Sequence, residues 1–315
     1  MIKIDEVSTC REMILPLSAN PVTSYTDALA RFESLLLEAQ KEILPACQSK
    51  LLTHGEQTEH VVVLFHGFSN CPEQFSELGR RLFEQGYNVF IPRQPYHGLS
   101  NRLSKELQNL KAEKLIAYGE LAVDIAHGLG KHVTVVGISG GGTVVCWLAQ
   151  NRADLHLCIP IAAMLGVSFV PAALTRIFAW LFEHLPSFYM WWDPLTKDKS
   201  PYCPPFAYPG YPIHALSEVL KLGVLVQQQA KKFPPLAKKI IMVINDHEPG
   251  VSNPELEELL SEWRINGKTE LVAYHFEKEL NLPHDIITQS TPGLDIELVY
   301  SRLIALISAE ELTYD

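Results

Sequence analysis

The chain has 315 residues, of which 47% are hydrophobic and 20% are charged, so it can bury one large core. This composition excludes an intrinsically disordered chain. The formal net charge of −10 is spread along the chain and argues against nucleic acid as a partner.

The cysteines show neither CxxC pairs nor metal-ligand spacing. They are Cys10, Cys47, Cys71, Cys146, Cys158 and Cys203. We interpret them as reduced, mostly buried thiols of a cytoplasmic protein. The first residues lack the basic and apolar segments of a secretory signal, which agrees with that interpretation. The histidines also lack zinc spacings, so we expect no metal and no cofactor.

The first predicted element is a helix over Tyr25 to Leu44, where apolar residues recur at helical spacing until Pro45. We assign residues 1–50 to an N-terminal helical extension. His60 to Phe65 is a near-continuous apolar run, which is typical of a strand in a parallel sheet covered on both faces.

A short loop, His66-Gly67-Phe68, follows that strand directly. A glycine at this place lets the main chain approach a ligand, so an amide of the loop could donate to an oxyanion. The alternative is an ordinary turn between strand and helix, with His66 bonded to the backbone. Both interpretations stay open here.

Strands and helices then alternate. We predict a helix over Pro72 to Gln85, a strand over Tyr87 to Ile91 and a helix over Glu113 to Leu129. This alternation indicates right-handed crossovers and a parallel sheet.

The segment His132 to Asn151, HVTVVGISGGGTVVCWLAQN, reads as a strand, a tight turn and a helix. Gly137 and Gly141 leave room for the backbone to double back, so Ser139 would project its hydroxyl outward. The start of the helix would favour a developing oxyanion. The pattern is that of a nucleophile elbow in a serine hydrolase. A phosphate-binding turn is disfavoured because no Lys-Ser/Thr pair follows the glycines.

A long insertion separates the next two predicted strands, Leu155 to Ile161 and Lys239 to Ile244, since the interval far exceeds the usual connection. We assign residues 163–236 to a cap, and residues 51–162 with 237–315 to the core. The cap is rich in aromatic residues and would cover Ser139. Most of its rings must form the cap's own core. We expect Phe169, Trp180 and Trp191 to contact substrate.

Leu157 to Ala173 carries no charge and is nearly long enough to span a bilayer. Pro160 and Pro171 interrupt it, so we prefer a buried strand that continues into an apolar cap. Transient contact of the cap with a membrane surface stays open as a second interpretation.

Polar residues follow the last two predicted strands. Asn245-Asp246-His247-Glu248 comes after Lys239 to Ile244, and Leu282-Pro283-His284-Asp285 follows the strand Glu270 to Phe276. A helix over Leu294 to Ser308 completes the predicted elements.

These motifs together resemble the α/β-hydrolase superfamily, and most closely its capped carboxylesterases and monoacylglycerol lipases. The motifs that carry the resemblance are His66-Gly67-Phe68, Arg93-Gln94-Pro95-Tyr96-His97-Gly98, Gly137 to Gly141 and Leu282 to Asp285. The resemblance implies a mostly parallel central sheet with helices on both faces and a helical cap inserted after the sixth strand.

The resemblance also implies roles for individual residues. Ser139 would attack an acyl carbonyl, and His284 would accept the proton of Ser139. The amides of Phe68 and Gly140 would form the oxyanion hole. We expect His66 and Gly67 to lie beside the substrate.

The acid of the triad departs from the superfamily pattern, Asp-x-x-Val. Counting back three residues from Val251 leads to Glu248, whereas Asp246 has the usual side chain two residues earlier. We prefer Glu248, keep Asp246 as the alternative, and treat Asp193 as a remote third candidate.

The resulting hypothesis is a serine hydrolase that cleaves a small-molecule ester with an apolar acyl part through an acyl-enzyme. A thioesterase or a serine peptidase could use the same triad. A catalytically inactive, hydrolase-like binding protein is the alternative from another class. The oligomeric state is unknown at this point.

Overall fold

A seven-stranded sheet forms the centre of the molecule in the computed structural model, which describes residues 19–37 and 42–308. The strands of the described residues, including two that form a separate small sheet, are β1 (Lys50–Leu52), β2 (Thr58–Phe65), β3 (Asn88–Ile91), β4 (Gly130–Ile138), β5 (Leu157–Ile161), β6 (Tyr189–Trp191), β7 (Gly210–Pro212), β8 (Lys239–Asn245) and β9 (Glu270–Phe276). The sheet order is β1-β3-β2-β4-β5-β8-β9, and β6 pairs with β7 separately. In the large sheet all pairings are parallel except that of β1 with β3.

Helices cover both faces of the large sheet. They are α1 (Tyr25–Leu37), α2 (Ser76–Glu84), α3 (Ala112–Leu129), α4 (Gly140–Asn151), α5 (Thr175–His184), α6 (Ile213–Ala230), α7 (Asn253–Asn266) and α8 (Ile296–Ser308). Helices α3, α4, α6 and α7 pack in succession, and α1 lies on α3. On the opposite face α2 meets α8, where Arg81 pairs with Glu297 and lies over the Tyr300 ring. Right-handed crossovers place the helices in this way, and the predicted α/β-hydrolase fold is confirmed.

The central strands are buried because both faces of the sheet are covered. Val61 to Phe65 of β2 and Val133 to Ile138 of β4 are shielded from solvent. Such continuous apolar runs are stable only between two layers of helices. The carboxyl ends of these strands carry the loops described below.

The inserted segment leaves the sheet after β5, the strand predicted at Leu155 to Ile161. It contains α5, the β6–β7 hairpin and α6. Helix α6 packs against α5 on one side and against α4 of the core layer on the other. The division into extension, core and cap stays a prediction.

The expectation that all cysteines are reduced is wrong for two of them. Cys47 and Cys71 form a disulfide, with their Cα atoms 5.2 Å apart. Cys146, Cys158 and Cys203 are free thiols, while Cys10 lies outside the described residues. The bond was not visible in the sequence because pairing depends on distance in the fold and not on spacing along the chain. Disulfides persist mainly in oxidising compartments, so the cytoplasmic location loses this support and stays a prediction.

Across residues 19–37 and 42–308, no helix has the combined length and apolar character needed to cross a bilayer. The uncharged run Leu157 to Ala173 instead forms β5 and the chain that leads to α5.

Candidate active site

Ser139 occupies a strained bend between β4 and α4. Its backbone has φ 56° and ψ −120°, which is rare for a residue with a side chain. Neighbouring strands hold it there. The Ser139 amide donates to Ile161 O at 3.0 Å, and its carbonyl accepts from the amides of Thr143 and Met164 at 3.0 Å each. The bend leaves the hydroxyl at the carboxyl edge of the sheet.

The two glycines around the serine are required by packing. A Cβ on Gly137 would lie 2.5 Å from Gly141 O, and a Cβ on Gly141 would lie 2.1 Å from Phe65 O. Both distances are far below van der Waals contact. The predicted strand, turn and helix at this position are therefore confirmed, together with the steric reason for them.

His284 and Glu248 form a direct pair. His284 Nδ1 lies 2.7 Å from Glu248 Oε1. The amides of Gly250 and Val251 donate to the same oxygen at 2.7 and 3.2 Å. The carboxylate is an acceptor, so Nδ1 carries the proton of the neutral ring. Nε2 is then left as the nitrogen able to take a proton.

Electrostatics match this arrangement. Burial by itself would raise the pKa of Glu248, but the charge and hydrogen bond of His284 and the two amides outweigh it and lower the pKa. For His284, burial would lower the pKa, but the adjacent Glu248 carboxylate raises it above 6.5. The pair therefore favours an anionic carboxylate beside a basic imidazole.

The two other acidic candidates have other partners, although Asp193 lines the same cavity as Ser139 and His284. Asp246 Oδ1 pairs with His275 Nδ1 at 2.8 Å, at the surface. Asp193 accepts from the amides of Leu195 and Thr196 within the inserted segment. Neither contacts the His284 ring in any hydrogen bond or ion pair of the described residues.

Ser139 and His284 line the same cavity, which has a volume of about 780 Å³. Among the described residues, Ser139 Oγ and His284 Nε2 do not form a hydrogen bond. Catalytic hydrogen bonds are often long before substrate binds and tighten in the complex. The cavity thus brings together a strained serine and a paired histidine.

Two free amides border the serine. The position of a Cβ on Gly140 would be 3.1 Å from Phe68 N, so the two backbones nearly touch. Neither the Phe68 amide nor the Gly140 amide donates to an acceptor among the described residues. Both remain available for an anionic oxygen near Ser139 Oγ.

His66 lies beneath the cavity and not in its wall. The ring is completely buried. Its Nε2 accepts from the Gln94 amide at 3.1 Å, and its Nδ1 donates to Gly67 O at 3.0 Å. Burial holds the pKa of His66 well below its usual value, so the ring stays neutral. Gly67 does line the cavity.

The aromatic residues predicted to contact substrate do not line this cavity. Phe169 and Trp180 are 62% and 50% exposed, and Trp191 packs on Tyr189. The inserted segment instead contributes Trp192, Tyr202 and Tyr208, among others. Neighbouring residues of an extended chain point in opposite directions, so Trp191 and Trp192 could not be distinguished from composition.

A family model described as serine aminopeptidase, S33, matches residues 56–242, more than half of the chain. The chain belongs to this hydrolase family. The matched range of the S33 family includes the Ser139 bend and β2 with its following loop.

Among characterised proteins, the chain is similar to the thermostable monoacylglycerol lipase of Bacillus sp. (strain H-257). The two are 24% identical over 188 residues, which is 59% of this chain and 70% of the lipase. The predicted resemblance to α/β-hydrolases of the monoacylglycerol lipase kind is thereby confirmed.

Solved structures agree on the fold. One, from work on the metagenome-derived lipolytic enzymes LipS and LipT, has a TM-score of 0.62 at 20% identity and covers 85% of this chain and 100% of its own. The Paleococcus ferrophilus monoacylglycerol lipase has a TM-score of 0.61 at 15% identity, covering 83% and 98%. At these identities the likeness concerns the fold.

Proposed function

We propose that this chain is a serine hydrolase of carboxylic esters, with Ser139 as nucleophile, His284 as general base and acid, and Glu248 as the carboxylate that orients His284. One observation carries the proposal: the His284–Glu248 pair opens into the same cavity as the strained Ser139. Membership of a hydrolase family supports it.

Acylation follows from the proton positions. Ser139 Oγ attacks the ester carbonyl, and its proton passes to His284 Nε2. The carbonyl oxygen becomes an oxyanion that accepts from the Phe68 and Gly140 amides. When the tetrahedral intermediate collapses, the bond to the alcohol breaks and His284 gives the alcohol its proton. An acyl-Ser139 ester remains.

Deacylation repeats the steps with water. His284 Nε2 takes a proton from the water molecule, whose oxygen attacks the acyl carbonyl. The bond to Ser139 Oγ breaks, and His284 returns the proton to the serine. In both halves the buried Glu248 carboxylate stabilises the transient imidazolium.

The cavity limits the substrate to a small molecule. A volume of about 780 Å³ lies within the usual range for such sites. Its wall contains apolar groups, including Ile138, Trp192 and Leu282, which suit an apolar acyl chain. The similarity to a monoacylglycerol lipase leads us to propose a monoacyl ester as substrate.

The inserted segment also carries an exposed apolar surface around α5. Its members Leu174, Ile177 and Trp180 are 42%, 58% and 50% exposed. Patches of this kind mark interaction sites. Since the proposed substrate is a lipid ester, we propose transient contact with a lipid surface here. Co-sedimentation with phosphatidylcholine vesicles should weaken in Ile177→Ser, and equal sedimentation of both proteins would exclude the contact.

A fluorophosphonate probe tests the nucleophile. It should label the chain at Ser139 and abolish hydrolysis of p-nitrophenyl esters. Ser139→Ala should lose labelling and lower kcat roughly 10⁴-fold or more. Labelling elsewhere, or an active Ser139→Ala protein, would end the proposal. Ligand binding without turnover in the unaltered chain would indicate an inactive, hydrolase-like binding protein instead.

Aminoacyl anilides provide the comparison, because the family description names aminopeptidases. A peptidase of this kind needs a free carboxylate for the substrate amine. The two acidic residues of the cavity wall already accept backbone hydrogen bonds, Asp193 from Leu195 and Asp285 from Ile287. We therefore expect esters to be cleaved faster than anilides. Acyl thioesters should also be cleaved faster than anilides, but by a smaller factor.

A further inference from the structure

We propose that Ser69 is a positioning residue, which couples the Phe68 amide to the inserted segment through Trp192 and Tyr208. The inference rests on the proposed function, since it assigns the Phe68 amide to the oxyanion hole. It adds that the inserted segment determines the geometry of that amide as well as covering the cavity.

All three polar groups of Ser69 are occupied. Its amide donates to His97 Nε2 at 3.2 Å, its carbonyl accepts from the Tyr208 amide at 2.8 Å, and its hydroxyl accepts from Trp192 Nε1 at 2.7 Å. The residue has a φ of 65°, which is unfavourable for a serine and persists only where surrounding contacts enforce it. Ser69 directly follows Phe68, so these contacts fix the adjacent peptide.

The contacts of Ser69 come from two parts of the chain. His97 belongs to the core, in the loop after β3, and its Nδ1 donates to Pro95 O at 2.9 Å. Burial lowers the pKa of His97 to about 4, so Nε2 stays an acceptor at neutral pH. Trp192 and Tyr208 belong to the inserted segment, in the connection between β6 and β7: Trp192 directly follows β6, and Tyr208 lies shortly before β7.

Tyr208 is itself anchored to the core. Its hydroxyl donates to Tyr96 O at 2.9 Å and accepts from the Leu99 amide at 3.0 Å. Tyr208 is thus bound to the core by its hydroxyl and to Ser69 by its amide. The link does not depend on one flexible side chain.

The Phe68 side chain is held by the same segment. Its ring centroid lies 5.3 Å from that of Tyr211 and 6.1 Å from that of Trp192, and the latter two are 4.4 Å apart. Edge-on contacts of this kind stabilise a defined ring position. Trp192 also lines the cavity, so a bound acyl group would meet the residue that holds Ser69.

The consequence concerns the transition state more than substrate binding. An oxyanion donor acts only within a narrow distance of the developing charge, and displacement of about 1 Å can cost roughly 10²-fold in rate. Loosening Ser69 would move the Phe68 amide. It should therefore lower kcat and leave KM nearly unchanged.

Two variants isolate the link. Trp192→Phe keeps an aromatic ring but removes the indole N–H, and Ser69→Ala removes its acceptor. Each should lower kcat for a p-nitrophenyl ester about 10-fold, with KM changed less than twofold, and should slow fluorophosphonate labelling equally. The double variant should have about the same kcat as the less active single variant, because both substitutions remove the same hydrogen bond.

Trp263→Phe is the matched control. It removes an indole hydrogen bond of 2.7 Å to Gln150 Oε1, between α7 and α4, so it should lower the melting temperature but leave kcat unchanged. The inference is overturned if Trp192→Phe and Ser69→Ala keep their kcat, if they raise only KM, or if their losses multiply. An active Ser139→Ala protein would instead overturn the proposed function.

Discussion

Glu248 is held at the residue scale by groups that a sequence motif does not show. Its Oε1 accepts hydrogen bonds from His284 Nδ1 and from the amides of Gly250 and Val251. The side chain is 1% exposed, so these donors replace water at Oε1. The loop after β8 thereby turns a glutamate toward His284, where the superfamily pattern leads one to expect an aspartate.

The choice between the two acidic residues can be tested directly. Glu248→Gln should lower kcat roughly 10³- to 10⁴-fold, because a neutral amide neither fixes the tautomer nor stabilises the imidazolium. Asp246→Asn should stay within twofold of the unaltered chain, since Asp246 pairs with His275 at the surface. Steady-state kinetics of both variants decide the matter. The opposite pattern would move the acid to Asp246.

The raised pKa of His284 predicts the acid limb of the pH profile. In the proposed mechanism the neutral ring is the base, so kcat/KM should fall as pH falls through a pKa above 6.5. Glu248 is the main cause of the increase, and burial alone would lower the pKa. The residual activity of Glu248→Gln should therefore have its acid limb at lower pH. A pH profile of kcat/KM that does not move would contradict this assignment.

Histidines gather at the element scale where β2, β4 and β5 begin. The strand register places His60 opposite His132, and His156 precedes β5. Their ring centroids lie 5.1 Å (His60 to His132) and 4.9 Å (His132 to His156) apart. Burial, followed by the charge of His132, lowers the pKa of His60 and of His156 below 6.5. The charge of Glu59 partly offsets the lowering of the His60 pKa, whereas the charges of Lys238 and Lys239 lower the His156 pKa further.

This cluster predicts how stability depends on pH. Below about pH 6.5 the unfolded chain binds protons that the folded cluster resists, so the free energy of unfolding falls as the pH falls. His132→Gln removes a repulsion felt by both neighbours, so the melting temperature should fall less between pH 7.5 and 5.5. Thermal melts across that range provide the measurement. His184→Gln, on α5, is the control, and equal slopes for all three proteins would refute the prediction.

The order of elements was largely predictable at this scale. Apolar runs such as Val61 to Phe65 and the glycines around Ser139 impose local steric and burial requirements. Boundaries were less accurate. The helix predicted over Tyr25 to Leu44 is observed over Tyr25–Leu37, residues 38–41 lie outside the described residues, and residues 42–44 are not helical.

The disulfide links parts of the whole molecule that are separate in sequence. Cys47 precedes β1, and Cys71 ends the loop that contains Phe68 and Ser69. Closing a loop of 24 residues contributes about 3 kcal/mol in the chain-entropy view. Because the bond borders the proposed oxyanion loop, it restrains the loop from outside the cavity.

Reduction should destabilise the molecule. We expect the melting temperature to fall by several degrees in a thiol reductant. The double variant Cys47→Ser, Cys71→Ser should melt at this lower temperature with or without reductant, while Cys203→Ser should behave like the unaltered chain. Identical melting of the unaltered chain in both conditions would show that the bond contributes nothing.

The sequence by itself determined the parallel sheet, the bend at Ser139 and the order of the proposed nucleophile, acid and histidine. These follow from requirements on adjacent residues, namely room for a tight turn and burial of apolar runs. Only the tertiary structure decided that Trp192 and not Trp191 lines the cavity, that His66 lies beneath it, that Glu248 meets His284, and that Cys47 meets Cys71. Each of these depends on distances between residues far apart in the chain, and only packing of the folded molecule sets such distances.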